Sequence, residues 1–274
     1  MYVVATPIGN LEDITLRAVR ILGAVDRIIA EDTRHSRRLL DHLGISRPLL
    51  TLHEHNEDEV LPRLLTLLET GESLALISDA GTPLISDPGF PLVRACRESG
   101  IELIPVPGPS ALITALSVSG LPSDHFCFHG FLPRRRTART ALLEKLSGDT
   151  GTLIFYESSH RIEAALQDLV DVLGGGRRAV LARELTKVHE TLIAAPLAEL
   201  SARVAADEDQ RKGEIVLLVA GAPAVDTAAA TDTDRLLRCL LEEMPLKQAA
   251  HLAARITGGK KNLLYQRALM LSGK

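Results

Sequence analysis

The chain has 274 residues, a net charge of −4 and no tryptophan, which is enough for two modest domains or one large one around an aliphatic core. No window reaches the ~20 consecutive apolar residues that a membrane-spanning helix needs, and the acidic balance excludes a global attraction to nucleic acid. Cys96, Cys127 and Cys239 are far apart and lack CxxC spacing, which argues for buried thiols in a reducing cytoplasm and against a disulfide frame or a zinc site.

The N-terminus "MYVVATPIGN" is apolar only briefly and breaks at Pro7 and Gly9, so it reads as a first strand rather than a signal peptide. "TLRAVRILGAV" follows with helical spacing and Asp13 as a candidate cap, then a strand "RIIAE" and a helix "HSRRLLDHLG" that Gly44 closes. "LLTLH", the helical "DEVLPRLLTLLETG", "SLALIS", "FPLVRACRESG", "IELIPV" and "ALITALSVSG" continue the alternation. Strand–helix alternation predicts parallel strands with helices on both sheet faces, here over residues 1–119. Over residues 120–221, "HFCFHGF", "GTLIFYES", "RAVLAREL", "VHETLIAA" and "GEIVLLVAG" read as strands, some following one another with no helix between. That predicts a mixed sheet with antiparallel pairs. Residues 222–233, "APAVDTAAATDT", read as a linker, and 234–274 as a basic segment of two or three short helices.

Four loops stand out because each follows a predicted strand: "TPIGNLEDIT", "SDAGTPLISDPG", "PGPSA" and "YESSHR". In open parallel sheets ligands bind beyond the carboxyl ends of the strands, where small residues let bare N–H and C=O groups approach. Taken singly each loop reads as a turn; several at strand ends read as a cleft. No GxxxxGK[ST], no GxGxxG after the first strand, no HExxH and no GxSxG occurs, which removes the nucleotide P-loop, the dinucleotide site and the simplest hydrolases. "HEHNE" at 53–57 has i, i+2 histidines without further ligands in sequence and reads as a polar loop rather than a metal site.

In unbroken order, "VATPIGNLEDITLRA", "AEDTR", "HEHN", "LISDAGTPLISDPG", "PGPSA", "GFLPR", "RELTK" and "KGE" resemble the tetrapyrrole methylase superfamily and, within it, the ribosomal RNA small-subunit methyltransferase I group. Ser159 departs from it, because the group usually has proline there. The resemblance implies two α/β domains of the tetrapyrrole methylase (class III methyltransferase) fold, a small C-terminal helical segment, and an S-adenosylmethionine site in the cleft between the two domains. It implies donor contacts from Pro7, Asp79, Ala80, Gly81, Thr82, Pro83, Ile85, Ser110, Ala111, Tyr156, Leu185 and Gly213. The implied acceptor is the 2′-hydroxyl of a cytidine in the decoding region of 16S ribosomal RNA, with the 30S subunit as partner, a homodimeric state and no metal. Tetrapyrrole enzymes of this fold usually carry Gly-Asp-Pro where this chain has Gly81-Thr82-Pro83, which points away from a macrocycle and toward RNA.

A ribose hydroxyl is a poor nucleophile at neutral pH and calls for a base or a polarising group. The candidates are Lys187 and Glu184 of "RELTK" and Glu157 and His160 of "YESSHR", the first two favoured as an ammonium–carboxylate pair. Two basic clusters offer phosphate contacts: Arg134, Arg135, Arg136 and Arg139, and, in a tail with no acid after Glu243, Lys260 and Lys261 within a helix–turn–helix pattern. A solvated charged face and a helical cap or dimer element stay open for them. The competing functions are a tetrapyrrole (precorrin/uroporphyrinogen-type) methyltransferase of the same fold and a non-catalytic ribosome-binding module.

Overall fold

The structure is a computed structural model that describes residues 1–223, 227–259 and 261–272. Its first sheet contains β1 (Tyr2–Val4), β2 (Arg27–Ala30), β3 (Leu49–Thr51), β4 (Leu74–Ile77) and β5 (Ile104–Val106), all parallel, in the order β3-β2-β4-β1-β5. Alternate residues of these apolar strands serve opposite faces, as a period of two requires. Ile28, Ala75 and Ile77 pack with Leu22 and Leu40, whereas Ile29, Leu74 and Leu76 pack with Leu64, Leu92 and Cys96. Helices therefore cover both faces. Thr15, not Asp13, caps the first of these helices, its hydroxyl accepting from the Ala18 N–H.

The second sheet contains β6 (Phe126–Phe131), β7 (Thr152–Ser158), β8 (Arg178–Arg183), β9 (Thr191–Pro196) and β10 (Glu214–Val219) in the order β6-β7-β10-β8-β9. Only β6 and β7 run parallel; the other neighbours are antiparallel, as a mixed sheet predicts. β8 runs directly into β9, but a helix, Leu197–Ala206, separates β9 from β10. Its Leu197, Leu200 and Val204 repeat at helical spacing, so the signal was present but short. One face of the sheet packs on its own helices through Phe155, Leu181 and Leu217. The other face, Ile154, Val180 and Val216, packs on Leu112, Ala115 and Leu116 of helix Ala111–Ser119 from the first half. That shared helix buries Leu112, Ala115 and Leu116 and leaves Ile113 and Val118 about half exposed. Both sheets lie in one compact unit, Met1–Ala222.

A second unit, Pro223–Lys274, holds helices Thr227–Glu243, Leu246–Thr257 and Lys261–Leu271 around Leu237, Ala250, Ala253, Leu264 and Ala268. The first of these helices begins inside the stretch 222–233 expected as a linker, because its alanines favour helix over coil. Gly258 ends the second at φ +70°, the left-handed conformation a helix stop commonly needs. Cys96 is buried, but Cys127 is half-buried and Cys239 exposed, so the expectation of three buried thiols holds for one of them. Among the described residues no helix is long and apolar enough to cross a membrane.

Candidate active site

Three of the four loops meet at the carboxyl ends of β1, β4 and β5, as open parallel sheets direct, and the fourth, "YESSHR", lies at the end of β7. Thr6 and Gly81 exchange two backbone hydrogen bonds, N–H to O, at 2.9 and 3.1 Å, and the Thr6 hydroxyl donates to the Ser78 carbonyl. Gly81 has φ +83°, and a Cβ there would come within 3.3 Å of Ile8. The Thr82 hydroxyl donates to the Pro109 carbonyl at 3.0 Å and stitches this loop to "PGPSA". Leu84 and Ser86 also hold positive φ, 72° and 70°. Non-glycine residues persist there only where the surroundings over-determine them, and such strain clusters at functional sites.

Against these loops lies a cleft of about 310 Å³, closed on its far side by the ends of β7, β8 and β10. Of the residues expected at the donor, Asp79, Ala80, Gly81, Thr82, Ile85, Ser110, Ala111, Tyr156 and Leu185 line it. Pro7, Pro83 and Gly213 do not; the first two are buried behind the wall, and their neighbours Ile8, Thr82 and Glu214 reach the cleft instead.

Of the four catalytic candidates only Glu157 lines the cleft. Its Oε1 accepts from the Ser158 N–H at 2.7 Å and pairs with Arg161 at 2.6 Å, while its buried Oε2 has no partner; burial pushes its pKa up. His160 is exposed and outside the lining. Lys187 and Glu184 form the expected pair but lie outside the lining as well. The Lys187 Nζ stands 2.9 Å from Glu184 Oε1 and 2.9 Å from Glu214 Oε2, and Glu184 Oε1 also accepts from the Glu214 N–H. Burial pulls the Lys187 pKa down, yet the hydrogen bonds to Glu214 and Glu184 outweigh it and leave it raised. Glu184 and Thr186 both have positive φ, 51° and 65°. The Thr186 hydroxyl accepts from the Asn10 N–H at 3.0 Å, so "RELTK" braces the first loop.

The sequence reading missed Glu31, Asp87, Phe131 and Glu214 as cleft residues. Glu31 belongs to "AEDTR", Phe131 to "GFLPR" and Glu214 to "KGE", so the motifs marked the places without marking the side chains. Asp87 reads from sequence as a loop fastener or helix cap. In the structure Gly89 is the cap of helix Phe90–Glu98, and no side chain caps it. Five carboxylates, Glu31, Asp79, Asp87, Glu157 and Glu214, thus line the cleft, and no Lys, Arg or His does among the described residues. Burial, with Glu31 and Asp79 nearby, pushes Asp87 up to about 7 against the Ser78 hydroxyl; burial raises Glu31 too, with Asp79 adding. On the far wall Tyr156, pushed by burial to about 12, sits edge-on to Phe128 and Phe131, with ring centroids 4.8 and 5.6 Å away.

The basic cluster divides. Arg134 and Arg135 are exposed just beyond Phe131. Arg136 pairs with Asp168 at 2.8 Å and Asp171 at 3.2 Å. Arg139 is only 4% exposed, and its Nε donates to Asp168 at 2.7 Å, so it is a structural ion pair without a face for phosphate. A sequence shows the charge but not that helix Arg136–Leu146 turns this one inward. Lys261 is exposed at the start of the last helix, and Lys260 lies outside the described residues.

Two sheets in these strand orders, with a strand-end cleft lined by small residues and acids, have the architecture of the tetrapyrrole methylases. The family model described as Tetrapyrrole (Corrin/Porphyrin) Methylases matches residues 1–201, and a second, RsmI C-terminal HTH domain, matches 227–272. Solved structures of the methyltransferase CobJ (TM-score 0.60, 19% identity, 81% of this chain and 93% of that one) and of uroporphyrin-III-C-methyltransferase from Thermus thermophilus (0.55, 20%, 80% and 93%) share the fold. Proteins named ribosomal RNA small subunit methyltransferase I are far more similar. That of Xylella fastidiosa (strain Temecula1) is 58% identical over 97% of both chains. That of Pseudomonas aeruginosa is 56% identical over all of this chain and 98% of its own. The chain belongs to the tetrapyrrole methylase family and, within it, to the ribosomal RNA small subunit methyltransferase I family.

Proposed function

We propose that this protein is an S-adenosylmethionine-dependent methyltransferase acting on the ribose 2′-hydroxyl of a cytidine in the decoding region of 16S ribosomal RNA. The observation that carries the reading is an acid-lined cleft with no basic side chain in its lining among the described residues, in a chain more than half identical, end to end, to named ribosomal RNA methyltransferases. The donor is a cation with an ammonium group, and carboxylates in a partly dry cleft suit it while repelling phosphates. It supplies an electrophilic methyl group and a thioether leaving group. Asp79, Gly81, Thr82, Ser110 and Ala111 hold its polar parts through backbone and short side chains, and Ile85 and Leu185 cover its flat ring. The Thr6–Gly81 and Thr82–Pro109 bonds preorganise that wall, so alignment and exclusion of water contribute much of the rate.

Arg134 and Arg135, beyond Phe131, hold RNA phosphates away from the acids, and Lys261 of the C-terminal unit offers a further phosphate contact. A ribosomal substrate places the protein in the bacterial cytoplasm; a homodimer follows from the resemblance alone. The test is to incubate the protein and methyl-labelled donor with 30S subunits from a strain lacking the gene, then map the label. Transfer to one cytidine, with resistance of the next phosphodiester to alkali, is the expected result. Transfer to a tetrapyrrole instead, or to neither, would overturn the reading.

A further inference from the structure

The four side chains that the motifs nominate as base are poorly placed for it. Glu184 and Lys187 satisfy each other outside the cleft lining and His160 is exposed, while the Glu157 side chain has no exposed surface: its Oε1 is held by Arg161 and the Ser158 N–H, and its unpartnered Oε2 is buried. The five cleft carboxylates separate in the same way. Glu214 is taken by Lys187 and Asp79 accepts the Asp32 N–H at 3.2 Å. Glu31 and Asp87 remain, facing the cavity with no cation among its lining residues.

Asp87 is the better aimed of the two. It follows Leu84 and Ser86, both in the left-handed region, and precedes Gly89 at φ +118°. A Cβ on Gly89 would come within 2.7 Å of Leu76, so the loop is pressed against the sheet at that point. The Gly89 N–H is held by Glu57 at 2.6 Å, which leaves the Asp87 carboxylate free of any capping duty. A strained turn, clamped from both sides, thereby presents one carboxylate to the cleft.

We infer that Asp87 is the proton acceptor for the 2′-hydroxyl, with Glu31, which lines the same cleft, as a positioning residue. The inference rests on the function proposed above. As the ribose oxygen–methyl carbon bond forms and the sulfur–methyl bond breaks with its electron pair left on sulfur, the hydroxyl proton passes to the Asp87 carboxylate and later to water. The groups that face Asp87 explain its fitness: Glu31 from the end of β2, Asp79 and Ser78 from the end of β4, and Tyr156 from β7. Only the Ser78 hydroxyl favours the ionised form. Burial and two like charges oppose it, which places the group near the pH at which a general base works best.

The experiment compares the parent, Asp87→Asn and Glu31→Gln on 30S subunits at saturating donor from pH 5.5 to 9, with donor affinity measured by calorimetry. It adds carbon-13 NMR of the labelled aspartate carboxyls. Asp87→Asn should bind donor within a few-fold of the parent and lose turnover about 100-fold or more. Glu31→Gln should move the acid limb of the rate profile to lower pH by about half a unit. The carboxyl resonance lost in Asp87→Asn should titrate near neutrality in the parent and shift in the same direction. An active parent whose Asp87→Asn variant turns over normally, or whose variant loses only donor affinity, would overturn this assignment alone. An unmoved acid limb in Glu31→Gln would remove Glu31 from it. A parent that binds donor but is inactive on 30S subunits would overturn the underlying reading and this one with it.

Discussion

The Glu57 carboxylate reaches across 32 residues of chain to accept the Gly89 backbone N–H at 2.6 Å. That bond gives "HEHNE" its structural meaning: Asn56 Oδ1 accepts the His53 N–H and Asn56 Nδ2 donates to the Thr51 carbonyl. The loop so shaped starts helix Glu57–Glu69, whose first residue clamps the cleft wall. Glu57→Ala should lower stability by about 1 kcal/mol and weaken donor binding through the loop it clamps, although Glu57 does not line the cleft. Thermal melts with calorimetric donor titration check both.

Gly89→Ala is expected to be worse. Its φ of +118° disfavours any side chain, and the added methyl meets Leu76 Cδ2 on the floor of the sheet. Strain of this kind costs about 1–3 kcal/mol, read as a fall in melting temperature, with turnover lost through the displaced Asp87.

Gly213→Ala tests the brace beneath the opposite wall. A Cβ at Gly213 would overlap the Glu184 carboxylate, which holds the Glu214 N–H and Lys187. The variant should lose stability and move Glu214 at the cleft. Lys187→Met, which keeps the backbone path, should retain the fold and bind donor. Thermal melts and donor calorimetry on both variants check this.

Half-buried Asp87 makes stability pH-dependent in a definite sense. Its folded pKa is raised from 3.8 to about 7, so between those values the folded state holds more protons than the unfolded one. Its contribution to stability therefore falls as pH rises through that window. Asp87→Asn removes the cost. The variant should melt above the parent at pH 8, with the gap closing toward pH 4. Glu184 acts oppositely: burial raises its pKa, but the bonds from the Glu214 N–H and Lys187 leave it lowered. Its stabilisation is present above the unfolded pKa and is lost as pH falls through the folded one.

Exposed Arg134 and Arg135 should separate from Arg139. Arg134→Ala with Arg135→Ala should weaken RNA binding and reduce the salt slope by about 1 for each phosphate no longer neutralised, leaving the melt unchanged. Arg139→Ala should destabilise by about 3 kcal/mol, because Asp168 stays buried with only Arg136. Filter-binding across a salt series and thermal denaturation distinguish them.

Local chemistry determines much of this protein from sequence. Short β-branched and leucine-rich runs fix the parallel first sheet, "RAVLAREL" running into "VHETLIAA" fixes an antiparallel pair, and Pro/Gly loops after strands fix where a cleft can open. Those signals lie within ten or so neighbouring residues, where propensity and periodicity act. Which acids share the cleft does not lie there. Residues 31, 79, 87, 157 and 214 meet only through the order β3-β2-β4-β1-β5 and the packing of the second sheet on helix Ala111–Ser119. The same holds for exposure: "RRRTAR" shows four like charges, and only the docking of its helix on Asp168 turns Arg139 inward. Charge and residue type belong to the chain. Burial and pairing, which decide whether a carboxylate is a base or a brace, belong to the tertiary structure, because desolvation and Coulomb terms depend on what surrounds a group in space.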